Sequence, residues 1–125
     1  MRLKRGLIAL TLLILFFGCQ RGGFTTIPNE LIGVWKTWAP KYAKCSMEIT
    51  NYTITFLDGD EHININTIKD VKKEKTSYEN RILYTIYYVN QEGDEYKCSL
   101  YYDPAHNGEL RFKNEQEIMW TKERG

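Results

Sequence analysis

The chain has 125 residues, of which 42% are hydrophobic and 14% aromatic, and its 17 basic and 16 acidic side chains give a formal net charge of +1. That balance leaves no block of like charge suited to nucleic acid; the densest basic stretch, Lys69 to Lys75, is broken by Asp70 and Glu74 and reads as a solvated strand face. The length allows one domain with a single core.

In chain order, the first segment is basic and then apolar. Arg2, Lys4 and Arg5 precede a run from Leu7 to Phe17 that is apolar except for Thr11. A membrane-crossing helix needs about 20 such residues, so this run is too short and reads instead as the core of a secretory signal. Phe16, Phe17, Gly18 and Cys19 resemble the lipobox of bacterial lipoproteins, departing from it at Phe16, where Leu is usual, and at Phe17, where a small residue is usual. Ordinary secretion and an uncleaved anchor are the alternatives. The resemblance implies that residues 1–18 are a signal peptide and that Cys19 is the lipidation site. Its thiol would carry a diacylglyceryl group and its freed amine an acyl chain such as palmitate. The mature protein would then be held at a membrane of the cell envelope, since two or three chains anchor stably at about 0.8 kcal/mol per buried CH₂. Gln20 after the cysteine is similar to an outer-membrane rather than an inner-membrane address, facing the periplasm.

Cleavage before Cys19 removes Arg2, Lys4 and Arg5 and leaves 14 basic against 16 acidic residues, a net charge of −2. Residues 19–30 read as the lipidated N-terminus and a flexible tether, because Gly22, Gly23, the threonines and Pro28 favour no regular structure. Residues 31–125 form the domain.

Within the domain the dominant period is two, the mark of half-buried strands. Strands are expected over Leu31–Trp38, Lys44–Thr50, Thr53–Leu57, about Ile63–Lys75, Ile82–Val89, Glu95–Tyr102, around Leu110 and Phe112, and over Glu117–Lys122. Asp58-Gly59-Asp60, Glu92-Gly93-Asp94 and Asn107-Gly108 supply turns. No amphipathic helix is expected. Eight short sequential strands make an antiparallel meander, and closing it removes the two exposed edges, so the expected fold is all-β, a closed or flattened barrel. A two-sheet β-sandwich is the alternative.

Gly33, Val34, Trp35 and Lys36 in the first strand resemble the Gly-x-Trp signature of lipocalins and of intracellular fatty-acid-binding proteins. The resemblance implies a barrel-end motif in which Gly33 lets the strand bend and Trp35 plugs one end under a basic side chain, Lys122 or Arg124. The chain departs from those families in having no Thr-Asp-x-x-Tyr counterpart, no helical lid and no C-terminal helix.

A barrel of this size either fills its interior or holds one small ligand. The alternating positions expected inside are Met47, Ile49, Ile54, Phe56, Ile63, Ile65, Tyr87, Tyr96, Leu100, Phe112 and Trp120. Either they pack into a solid core or they line a site for a small lipophilic ligand. Cys45 and Cys98 are the pair available for a disulfide in an oxidising compartment. Such a bridge would contribute about 4 kcal/mol in the chain-entropy model, but strands two and six of a round barrel lie too far apart, so it requires a flattened barrel or a sandwich.

Chemistry-bearing motifs are sparse. His62 and His106 are the only histidines, and there is no nucleophile elbow, zinc motif or phosphate loop, so no catalytic residue, metal or cofactor is expected. Asp103 to Gly108 reads as a turn rather than an Asp/His site, and Asp58 to Glu61 as a hairpin turn rather than a calcium loop. Two functional classes remain: a ligand-binding barrel, and an interaction or inhibitor module with a filled core that acts on an envelope protein. Tyr96-Lys97-Cys98 resembles the Tyr-x-Cys start of periplasmic lysozyme inhibitors, though their Ser-Gly-x-x-Tyr loop is absent. An open interior would favour the first class, an exposed patch of Tyr84, Tyr88 and Tyr101 the second.

Overall fold

The computed structural model describes residues 26–59, 61–78 and 80–123. Cys19 with the proposed signal peptide and most of the tether, together with Arg124, lies outside the described residues.

Eight strands follow one another: β1 (Gly33–Thr37), β2 (Cys45–Ile49), β3 (Thr53–Asp58), β4 (His62–Lys75), β5 (Ile82–Val89), β6 (Glu95–Asp103), β7 (Glu109–Phe112) and β8 (Glu115–Lys122). Each pairs antiparallel with the next, and β1 pairs with β8 to close the ring. The fold is therefore a closed eight-stranded antiparallel barrel, and the sandwich alternative is set aside. Closure satisfies strand edges that an open meander would expose. Among the described residues the only helical pieces are three single 3₁₀ turns, Asn29–Leu31, Pro40–Tyr42 and Ala105–Asn107. Among the described residues every strand and every buried core residue lies between Ile27 and Lys122, so this segment holds the described barrel together with its core.

A meander puts alternate connections at opposite ends. The chain enters β1 at the end that carries the β2–β3, β4–β5 and β6–β7 turns, and this end is plugged. Ile27, Leu31 and Trp35 are all buried there. The Trp35 indole N–H donates to the Leu31 carbonyl at 2.9 Å. The Tyr84 hydroxyl donates to the Glu30 carboxylate and ties the same turn to the interior. Ile27 thus belongs to the core, although residues up to 30 read from the sequence as tether. From the plug inward, Met47, Ile49, Ile54, Ile86, Leu100 and Leu110 fill the barrel.

Three interior expectations need correction. Phe56 pairs with Asn64 and Ile54 with Asn66, and directly paired residues share a face; since Ile54 and Phe56 point inward, so do Asn64 and Asn66. Ile63 and Ile65 therefore point outward, 60% and 46% exposed. The cost of an inward amide is offset locally, because the Asn66 Nδ2 donates to the Ile54 carbonyl and to the Asn64 side chain. A register shift between Ile68 and Asp70 then lets both Ile68 and Val71 pack against the core. In β5 the inward residues are Tyr84 and Ile86, which pair with Leu100 and Cys98, so Tyr87 faces out under the Lys72 ammonium, 5.2 Å from its ring centre. Tyr96 lies on the inner face but at the rim, stacked on Tyr88 with ring centres 5.7 Å apart and half exposed.

Cys45 and Cys98 are both free thiols. The strand order supplies the reason: β2 and β6 are four places apart on a ring of eight, on opposite walls.

Candidate functional site

The end opposite the plug is open. It carries the β1–β2, β3–β4, β5–β6 and β7–β8 connections, and between them lies a cleft of about 420 Å³. Met47 and Trp120 are its buried apolar members, and Tyr42, Cys45, Phe56 and Phe112 are half buried around them. Asp58, His62, Asn64 and Asn114 are exposed about its rim. The inward turn of His62 and Asn64 follows from the tight β3–β4 connection, in which Asp58 pairs with His62 and each later pair keeps that phase.

Aromatic rings hold the shape of this mouth. Trp120 meets Phe112 edge to face at 5.7 Å and lies 5.6 Å from Tyr42, while Phe56 lies 6.0 Å from Tyr88. Tyr42 is fixed in turn by Glu115, which accepts from the Tyr42 hydroxyl at 2.8 Å and from the Lys41 ammonium at 2.9 Å. These two hydrogen bonds, the Lys41 bond first, hold the Glu115 carboxyl below its ordinary range. The Trp120 indole N–H is buried without an acceptor among the described residues.

The two thiols near the mouth are held in the protonated form. The Cys98 thiol is pushed up to about 12 by burial, and Cys45 is raised by burial and by the Asp58 carboxylate that its thiol faces at 3.7 Å. Both stay protonated at neutral pH and are poor nucleophiles. Among the described residues no group of acidic, cysteine and histidine side chains could hold a metal ion. At the plugged end, His106 contacts Glu109 at 2.9 Å within the turn that Asn107 and Gly108 complete, both with positive φ, as the Asn-Gly signal implies.

Of the interior residues expected from alternation, Met47, Phe56, Phe112 and Trp120 come together at the mouth. Ile49, Ile54 and Leu100 lie in the filled half, Tyr96 sits at the rim, and Ile63, Ile65 and Tyr87 are outside. Tyr42, His62, Asn64 and Asn114 also line the mouth, beyond what was expected from the sequence. Strand alternation cannot find Tyr42, which sits in a 3₁₀ turn, or Asn114, which sits in a two-residue connection. The phase of β3 would have found His62 and Asn64. The proposed exposed patch does not form: Tyr84 is buried, Tyr88 lies on the inner face, and Tyr101 packs edge to face on Tyr78 at 5.8 Å. Among the described residues the most exposed large hydrophobic side chain is Trp38, 92% exposed in the β1–β2 connection.

No protein family, curated protein or solved structure matches this chain.

Proposed function

We propose that the protein is a membrane-anchored envelope lipoprotein whose lipocalin-like barrel takes a small lipophilic ligand in its open mouth, without catalysing a reaction on it. The observation that carries the reading is the division of the barrel into a plugged half and an apolar cleft of about 420 Å³ walled by Met47, Phe56, Phe112 and Trp120. That volume is within the range of small-molecule sites, and a mostly apolar wall with a few polar groups at its rim is their usual composition. The Lys122 ammonium over Trp35, beside a glycine whose conformation few other residues adopt, supports the lipocalin-like comparison. The chain enters β1 at the plugged end, so an anchor at Cys19 would attach at the end opposite the mouth.

The segment from Thr26 onward, titrated with 11-(dansylamino)undecanoic acid, should give a saturable, blue-shifted emission that Phe112→Ala weakens and Ile63→Ser leaves unchanged. A linear signal, or equal effects of the two substitutions, would overturn the ligand reading. Separately, mass analysis of the chain isolated from bacterial membranes should find acyl groups on Cys19, and Cys19→Ser should release the protein from them.

A further inference from the structure

The wall of the mouth is not continuous. β6 runs for nine residues while β7 has only four, and their pairing begins at Leu100 with Phe112. Glu95 to Cys98 therefore have no strand beside them on that side, and one backbone bond, from the Lys113 N–H to the Ser99 carbonyl at 2.9 Å, marks where the ring resumes. The resulting notch is a second cleft of about 580 Å³. Phe56, Phe112 and Asn114 line both clefts, so the mouth opens sideways through the notch as well as at its end.

The two openings differ in charge. The inner surface of the notch is apolar, with Tyr88 and the protonated Cys98 beside the two phenylalanines, whereas Lys97 and Lys113 are exposed at its lip. Neither ammonium has an ion-pair partner among the described residues, unlike Lys36, which pairs with Glu123, and Lys41, which pairs with Glu115. The main opening instead carries the Asp58 carboxylate, and a Glu115 whose charge Lys41 offsets. An apolar trough with a cationic lip at one side and the Asp58 carboxylate at the other suits a molecule with one anionic end and one apolar tail.

We propose that the notch between β6 and the β7–β8 hairpin is a lateral portal for a single-chain anionic amphiphile of the fatty carboxylate type. Its carboxylate is held at the lip by Lys97 and Lys113. Its tail crosses Phe56 and Phe112 into the cleft beside Met47 and Trp120. The inference rests on the reading of the mouth as a lipophile site and adds the ligand's charge, polarity and direction of approach.

The test is displacement of 11-(dansylamino)undecanoic acid from the segment starting at Thr26 by dodecanoic acid and by dodecanol, with thermal unfolding confirming that each variant is folded. The acid should compete about five-fold better than the alcohol, the scale of one or two exposed charge pairs, and the advantage should shrink as salt rises. The double substitution Lys97→Ala with Lys113→Ala should abolish the advantage and leave the alcohol's affinity unchanged, while Lys44→Ala with Lys75→Ala should preserve it. Equal competition by acid and alcohol, or an advantage that survives loss of both lip lysines, overturns the portal and leaves the mouth reading standing. Absence of any binding overturns both.

Discussion

The Lys122 ammonium lies 5.2 Å from the centre of the Trp35 ring, and the stem that carries it there passes over Gly33. A Cβ on Gly33 would sit 2.9 Å from the Lys122 Cδ, and the glycine's φ of +146° is one that side chains rarely allow. One glycine therefore does two things: it turns the chain from the plug into β1, and it leaves the channel in which Lys122 covers the tryptophan. Gly33→Ala should cost roughly 1–3 kcal/mol, from backbone strain and the displaced lysine together. Lys122→Met, which keeps the stem and loses the charge, should cost about 1 kcal/mol or less. Urea unfolding of both variants checks the order; a Gly33→Ala protein as stable as the parent would show that neither constraint matters.

The outward phase of Ile63 and Ile65 makes a second prediction. Ile63→Ser and Ile65→Ser remove apolar surface that is already in water and should change stability by about 0.5 kcal/mol at most. Asn66→Ala should be the costly change in this strand, at about 1–3 kcal/mol, because it strips the bond to the buried Ile54 carbonyl. Thermal unfolding of the three variants checks this. The reverse order would mean that β4 is paired one residue out of register.

β4 also marks how far the sequence could be read. The eight strands and their closure were legible, because period two and the Gly and Asn-Gly turns are local signals. The phase of β4 was not. Its apolar residues alternate as if buried, yet the β3 pairing and a bulge near residue 69 decide which face they take. Hydropathy also favoured neither face of β5, where Leu83, Thr85, Tyr87 and Val89 oppose Ile82, Tyr84, Ile86 and Tyr88. The mouth was legible only in part: Met47, Phe56, Phe112 and Trp120 follow alternation, whereas Tyr42 and Asn114 depend on where connections fold back.

The two free thiols should differ in reactivity and in what they do to stability at high pH. A thiol-disulfide reagent at pH 8 should modify native Cys45 slowly and Cys98 more slowly still, while both react at once in denaturant. For Cys98 the folded value, about 12, lies above its ordinary 9.0, so folding favours the protonated form. Its contribution is fully present below pH 9 and is lost as the pH rises from there toward 12. Cys98→Ala should flatten that part of the alkaline unfolding curve. Equal native reactivity of the two cysteines would contradict the burial assigned to Cys98.

The plug offers the sharpest test of how the two ends of the barrel differ. Tyr84 is buried, and burial together with the Glu30 carboxylate raises its hydroxyl well above the ordinary phenol value. Glu30 is only half buried and regains water when its partner is lost. The two truncations should therefore be unequal. Glu30→Ala strands a buried hydroxyl and should cost about 1–3 kcal/mol, whereas Tyr84→Phe removes that hydroxyl altogether and should cost less. In the double variant the Glu30→Ala penalty should largely disappear, since no polar group is left to strand. Hydrogen exchange should place the loss around Leu31 to Trp35, with the mouth strands unaffected. If Glu30→Ala instead weakens ligand capture at the mouth, the plugged and open halves are coupled, and the division of the barrel into a structural end and a binding end fails.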